Sequence, residues 1–157
     1  MIRIVIPKKA VWATAFSPNG EYLATASADK TARLWKANGW QEVACMRHEH
    51  QVKSLAFSPD SHYLATASFD KTALWEVPSG REVSRISHNC DVRAVAFSPD
   101  GKYLVTASGD GTAQVWLWRP EDLIDAACNR LTRNLTPEEW QQYLSDEPYR
   151  KTCPNLL

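Results

Sequence analysis

Three stretches of the chain share one alternation of small and bulky apolar residues, and they recur about every 40 residues. Val11, Ala13 and Ala15 fall on one side of the first stretch, with Thr14 and Phe16 on the other. Val52, Ser54 and Ala56 repeat this against Leu55 and Phe57, and Val92, Ala94 and Ala96 against Val95 and Phe97. A period of two is that of a strand, and apolar residues on both sides predict a strand covered on both faces. Each stretch runs into Ser17-Pro18-Asn19-Gly20, Ser58-Pro59-Asp60-Ser61 or Ser98-Pro99-Asp100-Gly101. Proline presets φ for the turn and glycine accepts the positive φ that follows, so Ser61 predicts local strain. A second strand follows at 22–27, 63–68 and 103–108. A tight turn at Asp29, Asp70 or Asp110 then leads into a third, which ends in Trp35, Trp75 or Trp116. Asn38-Gly39 and Ser79-Gly80 predict hairpins into a fourth strand at 41–46 and 81–86. Pro120 follows the third block almost at once, so that block has no fourth strand of its own.

A fixed period of this length marks one antiparallel unit, a four-stranded meander, stacked on copies of itself. The recurring text "AFSPDG-x-YL-x-TAS-x-D-x-TA" over roughly residues 8–118 resembles WD repeats, the blades of β-propellers. The Trp-Asp pair that names those repeats is absent, because Lys36, Glu76 and Leu117 follow the three tryptophans. The resemblance implies an all-β fold. Three four-stranded antiparallel blades, at about 8–47, 48–87 and 88–118, would form a partial propeller (1–118), followed by a helical cap (119–157).

His48, Thr66 and Asp70 offer the residue types of a base, a nucleophile and an orienter, and His88, Thr106 and Asp110 repeat them. A catalytic triad needs an exposed nucleophile beside an oxyanion hole, and no G-x-S-x-G turn supplies one. An active site also seldom occurs once per structural unit. The resemblance implies a structural role instead: a buried chain running from indole to hydroxyl to imidazole to carboxylate. Such a chain would join Trp75, Thr66, His48 and Asp70, then Trp116, Thr106, His88 and Asp110. Leaving one such group unpaired would cost about 1–3 kcal/mol. The first block keeps Thr25, Asp29 and Trp35 but has Pro7 where the others have histidine, so it should be looser. The second block is one residue shorter between Asp70 and Trp75 than its neighbours are between Asp29 and Trp35 or Asp110 and Trp116. A one-residue loss inside a strand turns every later side chain over. We therefore expect Trp75 to keep its buried place and the turn after Asp70 to be distorted.

The resemblance also implies a partner face, built from the loops before the first strand and between the second and third. Trp12, Lys53 and Arg93 fall there, with Ala28, Phe69 and Gly109 across from them. Trp, Phe and Arg are common interface anchors. His48-Glu49-His50 is a weak metal motif without a third clustered ligand. No phosphate loop, dinucleotide fingerprint or H-E-x-x-H motif is present, so no cofactor is expected.

Beyond Arg119 the period becomes helical. Leu123, Ile124, Ala127 and Leu131 predict a helix at about 120–132 with an apolar stripe. Thr136-Pro137-Glu138-Glu139 reads as a capping box opening a second helix to about Leu144, with Trp140, Tyr143 and Leu144 turned inward. This tail resembles the segment that closes large bacterial, cyanobacterial-type WD-repeat signalling proteins. A cytoplasmic origin follows from that resemblance, but no effector activity does.

The chain carries 18 basic and 18 acidic residues, and this balance gives no basic stripe for nucleic acid or anionic lipid. The apolar start Ile2–Ile6 is too short for a membrane span. Cys45, Cys90, Cys128 and Cys153 form no CxxC pair and read as free thiols. Asn134-Leu135-Thr136 matches a glycosylation sequon, read here as chance. Propellers have four to eight blades. If each open flank of three blades exposes roughly 500 Å² of apolar surface, about 12 kcal/mol per flank is forgone. We therefore expect self-association or further blades, with Arg3–Ile6 able to supply the missing strand of the third blade. The expected function is a non-enzymatic protein-interaction scaffold or sensor. The other readings are a remnant of a larger signalling protein and a hydrolase using His48 or His88.

Overall fold

The computed structural model describes residues 9–69, 71–144 and 148–154. Pro7, Asp70 and the candidate strand Arg3–Ile6 lie outside them. By internal contacts the chain divides into two compact units, one up to Trp116 and one from Leu117 onward.

The first unit holds three antiparallel sheets. Sheet 1 runs in the order β1 (Val11–Phe16), β2 (Tyr22–Ser27), β3 (Thr31–Lys36), β4 (Gln41–Arg47). Sheet 2 repeats it as β5 (Ser54–Phe57), β6 (Tyr63–Ala67), β7 (Lys71–Glu76), β8 (Glu82–Ser87). Sheet 3 has β9 (Val92–Phe97), β10 (Tyr103–Ser108) and β11 (Ala113–Leu117), and no fourth strand among the described residues. Strand β1 packs beside β5, and β5 beside β9, so the meanders stack flank to flank through their first strands. Ala24, Ala26, Ala32, Leu34 and Met46 of sheet 1 meet Val52, Leu55, Phe57, Leu64 and Trp75 of sheet 2 in one core. The small residues read from the sequence are what let the two sheets approach closely. Gly80, in the β7–β8 turn, lies so near sheet 1 that a Cβ there would stand 2.6 Å from that of Ala44.

The turns after the first strands are built alike. Ser17, Ser58 and Ser98 each accept from a tyrosine N–H five residues on, and each hydroxyl donates to Asn19, Asp60 or Asp100. Ser61 takes the left-handed φ of 64° that glycine takes in the other two turns. Its hydroxyl accepts the Asn19 N–H at 3.1 Å, which links sheets 1 and 2.

Register shows how sheet 2 absorbs its missing residue. Trp75 lies opposite Leu64 as Trp35 lies opposite Leu23, and both indoles are buried. The shorter turn brings Thr72 opposite Ala67, where sheet 1 has Ala32 opposite Ala26. The loss is taken up before β7, and the core tryptophan does not move.

The second unit departs from expectation in three ways. Helix α1 (Pro120–Cys128) stops four residues early, and Leu123, Ile124 and Leu131 are exposed. Helix α2 (Pro137–Tyr143) has the expected capping box between Thr136 and Glu139, but of its inward trio only Trp140 is buried. Tyr143 and Leu144 are exposed, Leu144 standing at the C-cap beyond the last helical residue. The third departure is a disulfide: Cys128 and Cys153, read as free thiols, are joined across a Cα separation of 5.4 Å. The fold brings together the end of α1 and the segment at 152–154, a juxtaposition that no local motif records. Asn134 is buried there, its amide donating to the Cys153 carbonyl and its oxygen accepting the Cys153 N–H, both at 2.9 Å. An asparagine held in this way offers no free nitrogen for glycosylation.

Candidate interaction face

The first strands begin beside the turns that join second strands to third. Val52 N–H donates to Ser27 O of sheet 1, and Val92 N–H to Ser68 O and Phe69 O of sheet 2. These bonds bind the meanders into one rim. At that rim the register of β1 slips between Val11 and Ala13, and that of β9 between Val92 and Ala94. Trp12 and Arg93 are therefore the extra residues of two bulges, and a bulge re-aims its side chain away from the sheet alternation. Lys53, at the same place in sheet 2, lies just outside β5.

Trp12 and Phe69 are more than half exposed, as is the Arg93 side chain. Ala28, whose N–H donates to Ala10 O, is buried. Phe69 stacks at a tilt on His50, with ring centroids 5.3 Å apart, and both line a cleft of about 240 Å³ with Gln51 and Lys53. Lys53 Nζ donates to Asp91 Oδ2 at 2.7 Å, and Arg93 Nε stands 3.7 Å from the same oxygen. Asp91 Oδ1 is buried and has no hydrogen-bond partner among the described residues. Phe69, His50 and Lys53 thus line one cleft, and Asp91 stands between Lys53 and Arg93. Sequence reading missed His50 and Asp91, because neither recurs at its counterpart positions. The pairing of Lys53 with a carboxylate 38 residues on had no local signal.

The buried polar residues only partly follow the expected chain. Trp35, Trp75 and Trp116 donate their indole N–H to Thr25, Thr66 and Thr106, at 3.1, 2.7 and 3.0 Å. In sheet 2 the Thr66 hydroxyl also meets His48 Nε2 at 3.2 Å, with the imidazole edge-on to Trp75. His88 packs on Trp116 in the same way, but its Nε2 meets Thr72 of sheet 2 at 3.1 Å instead of Thr106. The carboxylates of Asp29 and Asp110 do not take an imidazole proton. They cap Thr31 and Thr112, accepting both backbone N–H and hydroxyl. Asx-type turns of this kind satisfy the carboxylate locally. Burial alone would raise the Asp29 carboxyl, but hydrogen bonds from Thr31 outweigh it and hold it below its usual value. In sheet 2 Thr72 takes the register place that Ala32 holds in sheet 1, and its hydroxyl meets His88 Nε2.

Burial, joined by the positive charge of Arg85, lowers His48 to about 4, so the ring is neutral at pH 7. His88 is lowered as well, chiefly by burial. His48 and His50 turn to different neighbours, Trp75 and Phe69, so the His48-Glu49-His50 run does not converge on one point. Among the described residues no helix is long and apolar enough to cross a membrane.

No curated protein matches the chain. The family model for the WD domain, G-beta repeat, matches residues 4–36, 40–75 and 80–116, together more than half of the sequence, with each match ending at or beside one of the three tryptophans. Three stacked antiparallel meanders carrying that match place this chain in the WD-repeat family.

Proposed function

We propose that the chain is a non-enzymatic protein-interaction scaffold whose partner face is the rim carrying Trp12, Lys53, Phe69 and Arg93. The observation that carries this reading is the exposed pair Phe69 and Arg93: Phe69 lines a cleft with His50 and Lys53, and Lys53 shares Asp91 with Arg93. Exposed aromatic and arginine side chains on one rim are residue types that commonly anchor interfaces. WD-repeat domains are in general non-catalytic scaffolds, and the hydroxyls of Thr66 and Thr106 are buried in bonds to indoles. The likeness of the tail to segments closing large bacterial WD-repeat signalling proteins supports a signalling setting. The test is selection of peptides that bind the chain from a displayed library. Phe69→Ala with Arg93→Ala should abolish binding of the selected peptides while leaving the thermal midpoint unchanged. Undiminished binding by the double variant contradicts the reading.

A second reading, favoured by a separate observation, concerns the flanks. Val52 and Val92 are fully buried, but their counterpart Val11 is 42% exposed. Leu34 and Leu74 are buried, but their counterpart Val115 is 64% exposed. What covers these positions inside the array is the neighbouring blade. The outer flanks therefore fit another blade of the same kind, supplied by a second copy of this chain or by further repeats of a larger propeller.

A further inference from the structure

The residue missing from sheet 2 leaves a second consequence, beside Ala73 of β7. Arg33 lies opposite Thr25 on one side and Cys45 on the other. The same place in sheet 2 belongs to Ala73, opposite Thr66 and Arg85. In sheet 1 the Arg33 guanidinium occupies this position and is answered by Glu42 at 2.8 Å and Asp29 at 3.8 Å. In sheet 2 a methyl group stands there, and a cavity of about 240 Å³ opens beside it.

The wall of this cavity is rich in donors and poor in acceptors. Arg47, Lys71 and Arg85 line it, and Glu49 is the one carboxylate among its described lining residues. Glu49 is two-thirds exposed and meets Lys71 Nζ through one oxygen at 3.1 Å, the one partner of that ammonium among the described residues. Arg47 has no ion-pair partner among the described residues, so its five N–H groups are unspent. Arg85 is held by both oxygens of Glu82, at 2.7 Å each, which fixes its guanidinium at the cavity edge. The Ser68 hydroxyl and the His48 ring complete the wall. The space is several times the roughly 30 Å³ that one water takes in the liquid, enough for a tetrahedral oxyanion with some of its hydration.

We propose that this cavity binds a small oxyanion of the phosphate class, with Arg47 and Lys71 as its principal donors. Arginine suits such a ligand because its planar fork meets two oxygens at once. Neither outer sheet repeats the arrangement: β3 fills the position with Arg33, and β11 carries Gln114 there. The site is therefore a property of the middle blade alone. Neutral His48 adds no charge at pH 7 but lends the site polar lining.

Titration calorimetry with inorganic phosphate, against sodium chloride of equal ionic strength, tests the proposal. Saturable phosphate binding is expected, weakened at least tenfold by Arg47→Ala, a substitution at an exposed side chain, and unchanged by Arg93→Ala at the rim. Ala73→Arg, which restores the side chain of sheet 1, should block binding by filling the space. If that variant fails to fold, Arg47→Ala alone decides. No saturable binding beyond the chloride control, or equal affinity in Arg47→Ala, overturns the assignment.

Discussion

The middle blade and the two outer blades are written in almost the same residues, yet among the described residues only the middle one has a sheet against each flank. Leu74 and its counterpart Val115 both precede the blade tryptophan, but Leu74 is fully buried and Val115 stands in solvent. Val52 and Val11, which both open a first strand, differ in the same way. Burial at these positions is conferred by the adjoining blade and not by the residue or its own sheet. A stacked array therefore holds its stability in its interior and its stickiness at its ends, as expected for repeats whose units contact only their neighbours.

That contrast can be broken most strongly at the centre. Leu74→Ala should cost about 3 kcal/mol, within the usual range for a buried leucine. Val115→Ala should cost less than about 0.5 kcal/mol in the isolated chain, as surface substitutions do. Chemical denaturation of the two variants side by side measures the difference. Equal losses would mean that the flanks are not what distinguishes the blades.

A pH titration sharpens the comparison in the same blade. His48 sits near 4 when folded, against about 6.5 unfolded, so the folded state binds fewer protons. Its stabilising contribution is fully present above pH 6.5 and is lost as the pH falls from 6.5 to 4, up to about 3 kcal/mol in all. His48→Gln should flatten this window in a stability-versus-pH profile. An unchanged profile would place the titrating group elsewhere.

The hairpin glycines give a smaller but cleaner contrast. Gly39 and Gly80 both adopt positive φ, at 91° and 66°. A Cβ at Gly39 meets nothing within 4 Å, whereas one at Gly80 would strike Ala44 across the blade interface. Gly39→Ala should cost about 1 kcal/mol from backbone strain alone. Gly80→Ala should cost about 2 kcal/mol, the excess coming from the collision between blades. Thermal melts of the pair decide it, and equal shifts would argue against close stacking at this turn.

Much of this architecture was legible in the sequence because repetition multiplies a weak local signal. The strand order, the turn at Ser61 and the position of Trp75 all follow from aligning three copies of one pattern. What was hidden lies where the copies differ or where distant segments meet. The shift of His88 onto Thr72 follows from a turn shortened 16 residues earlier, and only register reveals it. The link between Cys128 and Cys153, and the burial of Asn134 beside it, depend on a chain reversal with no periodic signature. The stripe of α1 is exposed, which its pattern does not reveal because a 3.6-residue period says which side is apolar but not whether anything lies against it. At the rim, the sequence suggested Trp12, Lys53, Phe69 and Arg93. The bulges that turn Trp12 and Arg93 outward, and the joining of Lys53 to Arg93 through Asp91, came only with the structure.

The central claim is that these blades are incomplete without another blade against their outer flanks. Light scattering coupled to size exclusion, on the purified chain at micromolar concentration, tests it most directly. The account predicts a species of at least twice the 17.7 kDa chain mass, reduced toward that mass by Val115→Asp. A folded, monodisperse species at 17.7 kDa, unaffected by that substitution, would contradict it.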